Sequence, residues 1–118
     1  MSTAYYSRYR DYSTNMPYRL IYITAGNVEE ARKIGCTLVE ERLAACVNYS
    51  PIQSIFRWEE KVEEDSEVAV LVKTRAGLVD KVIERVKELH SYEVPCILAL
   101  PVEQGNPAFL EWIDESTI

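Results

Sequence analysis

The segment YRLIYITAG, residues 18–26, combines β-branched and aromatic residues and ends in Ala25-Gly26, which is typical of a buried strand. Asn27 follows at once and predicts a helix N-cap, with Glu30 three residues later completing a variant of the capping box. Apolar residues then recur at helical spacing: Val28, Ala31, Ile34, Leu38 and Val39. The regular part of the chain therefore begins with a strand and a helix that ends near Glu41-Arg42.

The elements that follow form a long hairpin and a second strand–helix–strand unit. They are predicted over residues 43–58, 68–74, 77–89 and 93–100, with a short last helix that begins at Asn106-Pro107. The acidic stretch 59–67, with six acids in nine residues, is expected to be the solvated turn of the hairpin. The order β-α-β-β-α-β predicts an α+β, ferredoxin-like sandwich with an antiparallel sheet, a long hairpin between its second and third strands and a C-terminal helix.

Residues 1–17 differ in composition from the single domain that is predicted over residues 18–118. Four of the eight tyrosines lie at positions 5, 6, 9 and 12, among Ser, Arg and Asp residues without apolar periodicity. We expect these residues to form a flexible N-terminal arm. The alternative is that a Tyr- and Arg-rich arm stacks on RNA bases.

The charge balance and the apolar runs narrow the class of protein. Thirteen Lys and Arg against nineteen Asp and Glu give a net charge of −6, which argues against a nucleic-acid partner because phosphate binding needs clustered cations. No run approaches the roughly 18 apolar residues that span a bilayer, and the N-terminus lacks the apolar segment of a secretory signal. Three cysteines without C-x-x-C spacing indicate neither a disulfide framework nor a zinc ribbon. We therefore expect a cytoplasmic protein that does not cross a membrane.

The sequence carries no catalytic motif, and we expect no enzyme: its four glycines are isolated, and neither G-x-S-x-G nor H-E-x-x-H occurs. His90, the single histidine, either stabilises the negative end of the second helix or ligates a transition metal. Cys46 either packs as an inert thiol or supplies a thiolate ligand for copper, while Cys36 and Cys96 are expected to pack. Small-ligand clefts often form at strand ends, where four further candidates stand: Trp58, Glu67, Lys73 and Tyr92.

A series of motifs follows in a fixed order along the chain: Glu41-Arg42-Leu43-Ala44-Ala45-Cys46, Trp58-Glu59-Glu60-Lys61, Glu67 with Lys73-Thr74, His90-Ser91-Tyr92-Glu93-Val94-Pro95, Pro101-Val102-Glu103-Gln104-Gly105-Asn106 and Trp112. This ordered series resembles the CutA divalent-cation tolerance family over about residues 18–115. A single motif would be a weak signal, but the ordered set is specific. The resemblance implies a ferredoxin-like subunit in a tight homotrimer similar to the PII signalling proteins. It also implies a cytoplasmic role in tolerance to copper and other divalent metals.

The resemblance further implies which residues hold the metal. His90 matches a histidine that ligates copper in members of the family, and Cys46 matches the family cysteine. Four positions depart from the family pattern: Leu89 stands in place of a second His, Ile23 of a Cys, Ser91 of a Pro and Glu60 of a Gly. With so few ligands in each chain, a site would need donors from other subunits of the trimer or from water.

Two functions therefore remain open at the level of the sequence. The first is a homotrimeric metal-tolerance protein that binds copper or another divalent ion weakly, with His90 and Cys46 as candidate ligands. The alternative is a PII-like binding or signalling trimer whose inter-subunit cleft takes a small anionic metabolite or a protein partner. The candidate cleft residues are Trp58, Glu67, Lys73 and Tyr92.

Overall fold

The computed structural model describes residues 15–118, and most of the arm predicted over residues 1–17 lies outside them. A short 3-10 turn, Ala76–Leu78, precedes the second helix. The elements are β1 (Tyr18–Ala25), α1 (Val28–Glu40), β2 (Cys46–Trp58), β3 (Lys61–Arg75), α2 (Val79–Leu89), β4 (Ile97–Pro101) and α3 (Pro107–Ser116). The strands form an antiparallel sheet in the order β2-β3-β1-β4, so the predicted ferredoxin-like α+β sandwich is confirmed.

The core lies between one face of the sheet, here called the helix face, and helices α1 and α2. Alternate residues of β1 and β3 point to this face, and Ile21, Ile23, Val70 and Val72 have no exposed surface. They share one cluster with equally buried helix residues: Ile34, Leu38, Val82 and Val86. Each side chain of this size contributes roughly 1.5–3 kcal/mol by leaving water. This core holds the ends of β1 and α2 in fixed positions relative to each other.

Helix α1 buries a narrower stripe than the sequence predicts. Ala31, Ile34 and Leu38 are buried as expected, but Val28 and Val39 are 47% and 41% exposed. Val39 directly follows Leu38 and is turned by about 100° from it around the helix axis, which points its side chain away from the core. Cys36 is exposed for the same reason, because it follows the buried Gly35, so the expectation that this thiol packs is wrong.

The hairpin between β2 and β3 differs most from its prediction. Only Glu59 and Glu60 form the turn, with φ of 49° and 66°. The rest of the acidic stretch, residues 61–67, forms the first half of β3 and is not part of a solvated turn. Seven residue pairs, from Ile52–Glu67 to Trp58–Lys61, extend beyond the point where β1 ends. At about 3.3 Å per pair, this two-stranded part of the hairpin projects roughly 23 Å from the sheet. We call residues 52–67 the arm from here on, as distinct from the predicted N-terminal arm. Aromatic and β-branched residues of β2 favour the strand conformation, which the acidic residues paired with them on β3 do not.

Strands β4 and β2 begin later than predicted. Strand β4 begins at Ile97 and not near Glu93, because Pro95 has no N–H for the ladder. Residues 91–95 form an irregular loop in its place, here called the 91–95 loop. Strand β2 begins at Cys46 because the N–H groups of Leu43 and Ala44 donate to the Leu38 carbonyl at the end of α1. Both changes lie next to residues that the sequence marks as candidates for a site.

The turn at the tip of the arm gives a first prediction. Glu60→Gly should raise the free energy of unfolding by about 0.5–1 kcal/mol, because glycine adopts a φ near +60° without the steric cost of a β-carbon. The matched control is Glu63→Gly, within the regular part of β3, where glycine should lower the free energy of unfolding by about the same amount. Urea denaturation at a fixed protein concentration measures both variants. A loss of stability in Glu60→Gly would contradict the turn.

Candidate functional site

The side chain of His90 is fully buried at the end of α2. Its Nε2 lies 2.7 Å from the carbonyl oxygen of Thr24, and its Nδ1 accepts from the backbone N–H of Tyr92 at 3.0 Å. Because a carbonyl can only accept and an amide N–H can only donate, the proton of the neutral ring lies on Nε2. Both ring nitrogens therefore have partners within the protein. These bonds tie His90 to the end of β1 and to the loop after α2, and neither of them reaches a carbonyl of α2, whose negative end His90 is expected to stabilise in one of its two predicted roles.

Glu30 joins this histidine to two other parts of the fold. Its Oε1 accepts from Gly26 N at 2.9 Å, and its Oε2 accepts from Ser91 N at 2.6 Å. The same Oε2 lies 3.9 Å from His90 Nδ1. Burial opposes ionisation of this carboxyl, but the hydrogen bonds from Gly26 and Ser91 outweigh it and hold the pKa of Glu30 below its ordinary value of 4.5. We call this arrangement the His90–Glu30 site.

The local sequence explains only half of this geometry. The capping prediction is correct for Asn27, whose Oδ1 accepts from Glu30 N at 2.8 Å. The Glu30 side chain, however, bonds the N–H of Gly26 and not that of Asn27, and it reaches a partner 61 positions later in the chain. Sequence reasoning therefore missed Glu30 as a site residue. Its spacing to Asn27 predicts a cap, and nothing in it predicts the contact with Ser91.

Tyr92 and Glu67, two of the four predicted cleft residues, are in contact. The Tyr92 hydroxyl donates to Glu67 Oε2 at 2.9 Å, and the Tyr92 ring lies 4.7 Å from the His90 ring, centroid to centroid. Burial and the hydrogen bond to the Glu67 carboxylate raise the pKa of Tyr92 to about 12. The hydroxyl is therefore a neutral donor throughout the physiological range. This bond ties the 91–95 loop to the root of the arm.

The other two predicted cleft residues lie elsewhere. Trp58 precedes the turn at the tip of the arm, with 63% of its surface exposed. It stands six ladder pairs from Glu67, or roughly 20 Å. Lys73 lies at the opposite end of β3, with its Nζ 5.6 Å from the centroid of the Phe109 ring. The described part of one chain therefore holds no cleft that contains all four residues.

The two predicted metal ligands are also apart. Cys46 pairs with Lys73 across the β2–β3 ladder, and the lysine Nζ lies 3.8 Å from its Sγ. His90 instead meets Thr24, whose partner on β3 is Ala69, four residues from Lys73. Four residues along a strand separate the two levels by roughly 13 Å. Cys46 and His90 of one chain do not share a metal ion in this arrangement.

The capacity of one chain for a metal ion is limited. Among residues 15–118 no group of three or more His, Cys, Asp and Glu side chains is placed to hold a metal ion. The His90–Glu30 site offers one imidazole nitrogen and one carboxylate, which suit copper and zinc but supply fewer than four ligands. Water or another subunit would have to complete the shell. Within the same residues, no helix is long and apolar enough to cross a membrane.

Comparison with known proteins agrees with this fold and these motifs. The model of the family described as "CutA1 divalent ion tolerance protein" matches residues 19–116. The chain belongs to the CutA1 divalent ion tolerance family. The resemblance that the ordered motifs carry is thereby confirmed.

Individual CutA relatives cover nearly the whole described chain. The divalent-cation tolerance proteins CutA of Archaeoglobus fulgidus and of Thermus thermophilus are each 50% identical over 99 residues, covering 84% and 83% of this chain and 97% and 96% of the relative. The solved structure of CutA1 from Oryza sativa superposes with a TM-score of 0.85 at 42% identity, covering 90% of this chain and 98% of that one. A structure of the archaeal protein is described as periplasmic and a rice relative as chloroplastic. The cytoplasmic location of this chain stays a prediction.

The contacts of Glu30 give a second prediction. Glu30→Ala should lower the free energy of unfolding by about 1–3 kcal/mol, because the N–H groups of Gly26 and Ser91 lose a charged acceptor. Glu29→Ala, on the exposed side of the same helical turn, is the matched control and should cost less than about 1 kcal/mol. Chemical denaturation monitored by circular dichroism measures both. Equal losses in the two variants would contradict the role of Glu30.

The lowered pKa of Glu30 gives a third prediction. A carboxyl whose pKa is lower in the folded protein stabilises it above the unfolded pKa and loses that contribution as the pH falls through the folded pKa. The difference in stability between the unsubstituted protein and Glu30→Gln should therefore be constant at neutral pH and shrink as the pH falls through 4.5 and below. Urea denaturation in a series of buffers between neutral and acidic pH measures this difference. A difference that grows on acidification would refute the assignment.

Proposed function

We propose that the protein works in divalent metal tolerance as a homotrimer that binds divalent cations, copper among them, weakly. The observation that carries the metal assignment is the His90–Glu30 site, where an imidazole nitrogen and a carboxylate oxygen lie 3.9 Å apart. Neutral imidazole is a common ligand for copper and zinc, and a carboxylate adds a negative charge. Two donors in a chain explain weak binding, since the remaining ligands come from water or from another subunit.

The homotrimer is supported by the arm and by the edges of the sheet. A two-stranded ribbon has little stability alone in water, yet this one projects with Ile55, Trp58 and Val62 each more than 60% exposed. Strand β4, at one edge of the sheet, exposes Leu98 and Leu100 as well. A closed ring of copies would bury these side chains and pair strand edges that invite aggregation when left open. Three copies is the number that the family resemblance implies.

A site of this kind suits reversible capture of an ion better than catalysis. Weak binding lets the ion exchange, which is what buffering or transfer of a toxic metal requires. We assign no catalytic role to any residue of the chain. Cys46, with Lys73 beside it, remains a proposed second ligand, and the separation of Cys46 from His90 within a chain restricts any shared site to donors from different subunits.

Calorimetric titration with Cu(II) tests the metal assignment. The unsubstituted protein should show saturable binding, and His90→Gln should weaken it at least tenfold because the imidazole ligand is lost. Cys46→Ser reports on the second candidate ligand, and Cys36→Ser, at an exposed thiol outside both candidate positions, is the control and should leave the affinity unchanged. Unchanged binding of Cu(II) by a folded His90→Gln variant would refute the assignment of His90 as a ligand. Thermal stabilisation by anionic metabolites and not by metals would favour the PII-like alternative instead.

Measurement of the native mass tests the trimer. A homotrimer of 13.6 kDa chains should have a mass of three times that value, about 41 kDa. Val62→Glu, on the arm, should shift the mass toward the single chain, because a charge replaces an apolar side chain in the contact. Val28→Glu, at an equally apolar exposed position on α1, is the matched control and should leave the mass unchanged. A native mass of one chain for the unsubstituted protein would refute the proposal.

A further inference from the structure

Two consecutive backbone N–H groups occupy the positions from which a cation would approach the His90–Glu30 site. Ser91 N donates to Glu30 Oε2 at 2.6 Å, and Tyr92 N donates to His90 Nδ1 at 3.0 Å. The carboxylate has lone pairs to spare, but the ring nitrogen has one. His90 Nδ1 therefore cannot accept from Tyr92 and ligate a metal ion at the same time. The other ring nitrogen carries a proton and is bonded to Thr24.

We propose that the 91–95 loop is a gate that a divalent ion opens by displacing the Tyr92 N–H from His90 Nδ1. This inference rests on the proposed function, since it takes His90 as the ligand. The loop is suited to move, because its residues form neither helix nor strand and Val94 is 87% exposed. Three hydrogen bonds hold it near the site, from Ser91 N, Tyr92 N and the Tyr92 hydroxyl, and the Tyr92 ring also lies against the His90 ring.

Opening of the gate by a metal ion would also alter a contact at the root of the arm. Tyr92 supplies both the N–H that blocks His90 and the hydroxyl that bonds Glu67, so moving its backbone strains or breaks the second contact. Glu67 stands at the root of the arm, paired with Ile52 in the first ladder position beyond β1. A carboxylate released there loses its hydrogen-bond donor at the base of the element that the proposed trimer uses to reach its neighbour. Occupancy of the metal site and the state of the arm are therefore linked.

The gate also accounts for weak binding in energetic terms. A ligand that binds only the open state has an apparent affinity reduced by the fraction of molecules that are open. A substitution that loosens the loop without touching a ligand should therefore tighten metal binding. Tyr92→Phe is such a change, because it removes the hydroxyl bond to Glu67 and keeps the aromatic ring against His90. A residue with a purely structural role would give the opposite result or none.

The test is calorimetric titration of the full chain with Zn(II), followed by amide hydrogen exchange measured by NMR. Tyr92→Phe should bind about 2- to 10-fold more tightly than the unsubstituted protein, the factor that one hydrogen bond is worth. The matched control is Tyr18→Phe, which removes the corresponding bond from Tyr18 to Asp114, 2.7 Å long, and should not change the affinity. Glu67→Ala removes the Tyr92 bond from its other end and should act like Tyr92→Phe, which covers a folding failure of either variant.

Zinc should also speed hydrogen exchange at the Ser91 and Tyr92 amides while the amide of Ala31, inside α1, keeps its rate. Saturable binding that leaves the Tyr92 amide protected, or that weakens or stays equal in both loosened variants, overturns the gate and leaves metal binding standing. Absence of saturable binding by the unsubstituted protein overturns the proposed function together with the gate. Tighter binding in the loosened variants with exposure of the Tyr92 amide supports both.

Discussion

The hydrogen bond from Ser91 N to the Glu30 carboxylate joins the two halves of the fold beside His90 and Tyr92. Glu30 belongs to the first β-α-β unit and Ser91 to the second, and the carboxylate also holds the N–H of Gly26 at the end of β1. A charged acceptor that holds two backbone donors is costly to remove, because both N–H groups lose a charge-assisted hydrogen bond. The position of His90, of Tyr92 and of the whole 91–95 loop depends on this contact. The site is therefore a product of tertiary structure and not of any one motif.

This constraint limits the availability of His90, the single histidine, as a metal ligand. Sequence and family resemblance both present His90 as an available ligand, whereas the fold surrounds it with protein and gives each ring nitrogen a partner. A metal ion must compete with a backbone N–H for Nδ1, and that competition reduces apparent affinity without removing the site. The weak binding that we propose would then be a property of the closed loop as much as of the small ligand set. The same loop bonds Glu67, so the chemistry at His90 is connected to the arm that a trimer would bury.

The sequence predicts the fold well because local patterns of apolar residues determine where its strands and helices form. The strand predicted from the β-branched and aromatic run of β1, the helix predicted from the apolar spacing of α1 and the Asn caps all reappear in the structure. The acidic residues 61–67 escape prediction because their strand is held by cross-strand partners on β2, which composition alone does not reveal. Glu30 escapes for a similar reason, since its partner Ser91 is remote in the chain. The separation of Cys46 from His90 depends on ladder register, which no single motif encodes.

The central claim is that a divalent ion binds at His90 Nδ1 in place of the Tyr92 N–H. A crystal structure of the protein soaked in Cu(II), with anomalous scattering recorded at the copper edge, tests it most directly. The account predicts one metal position for each chain, bonded to His90 Nδ1 at about 2.0–2.1 Å with the Glu30 carboxylate beside it and the 91–95 loop displaced. Copper found only at Cys46 or along the acidic arm, with Tyr92 N still bonded to His90, would contradict it.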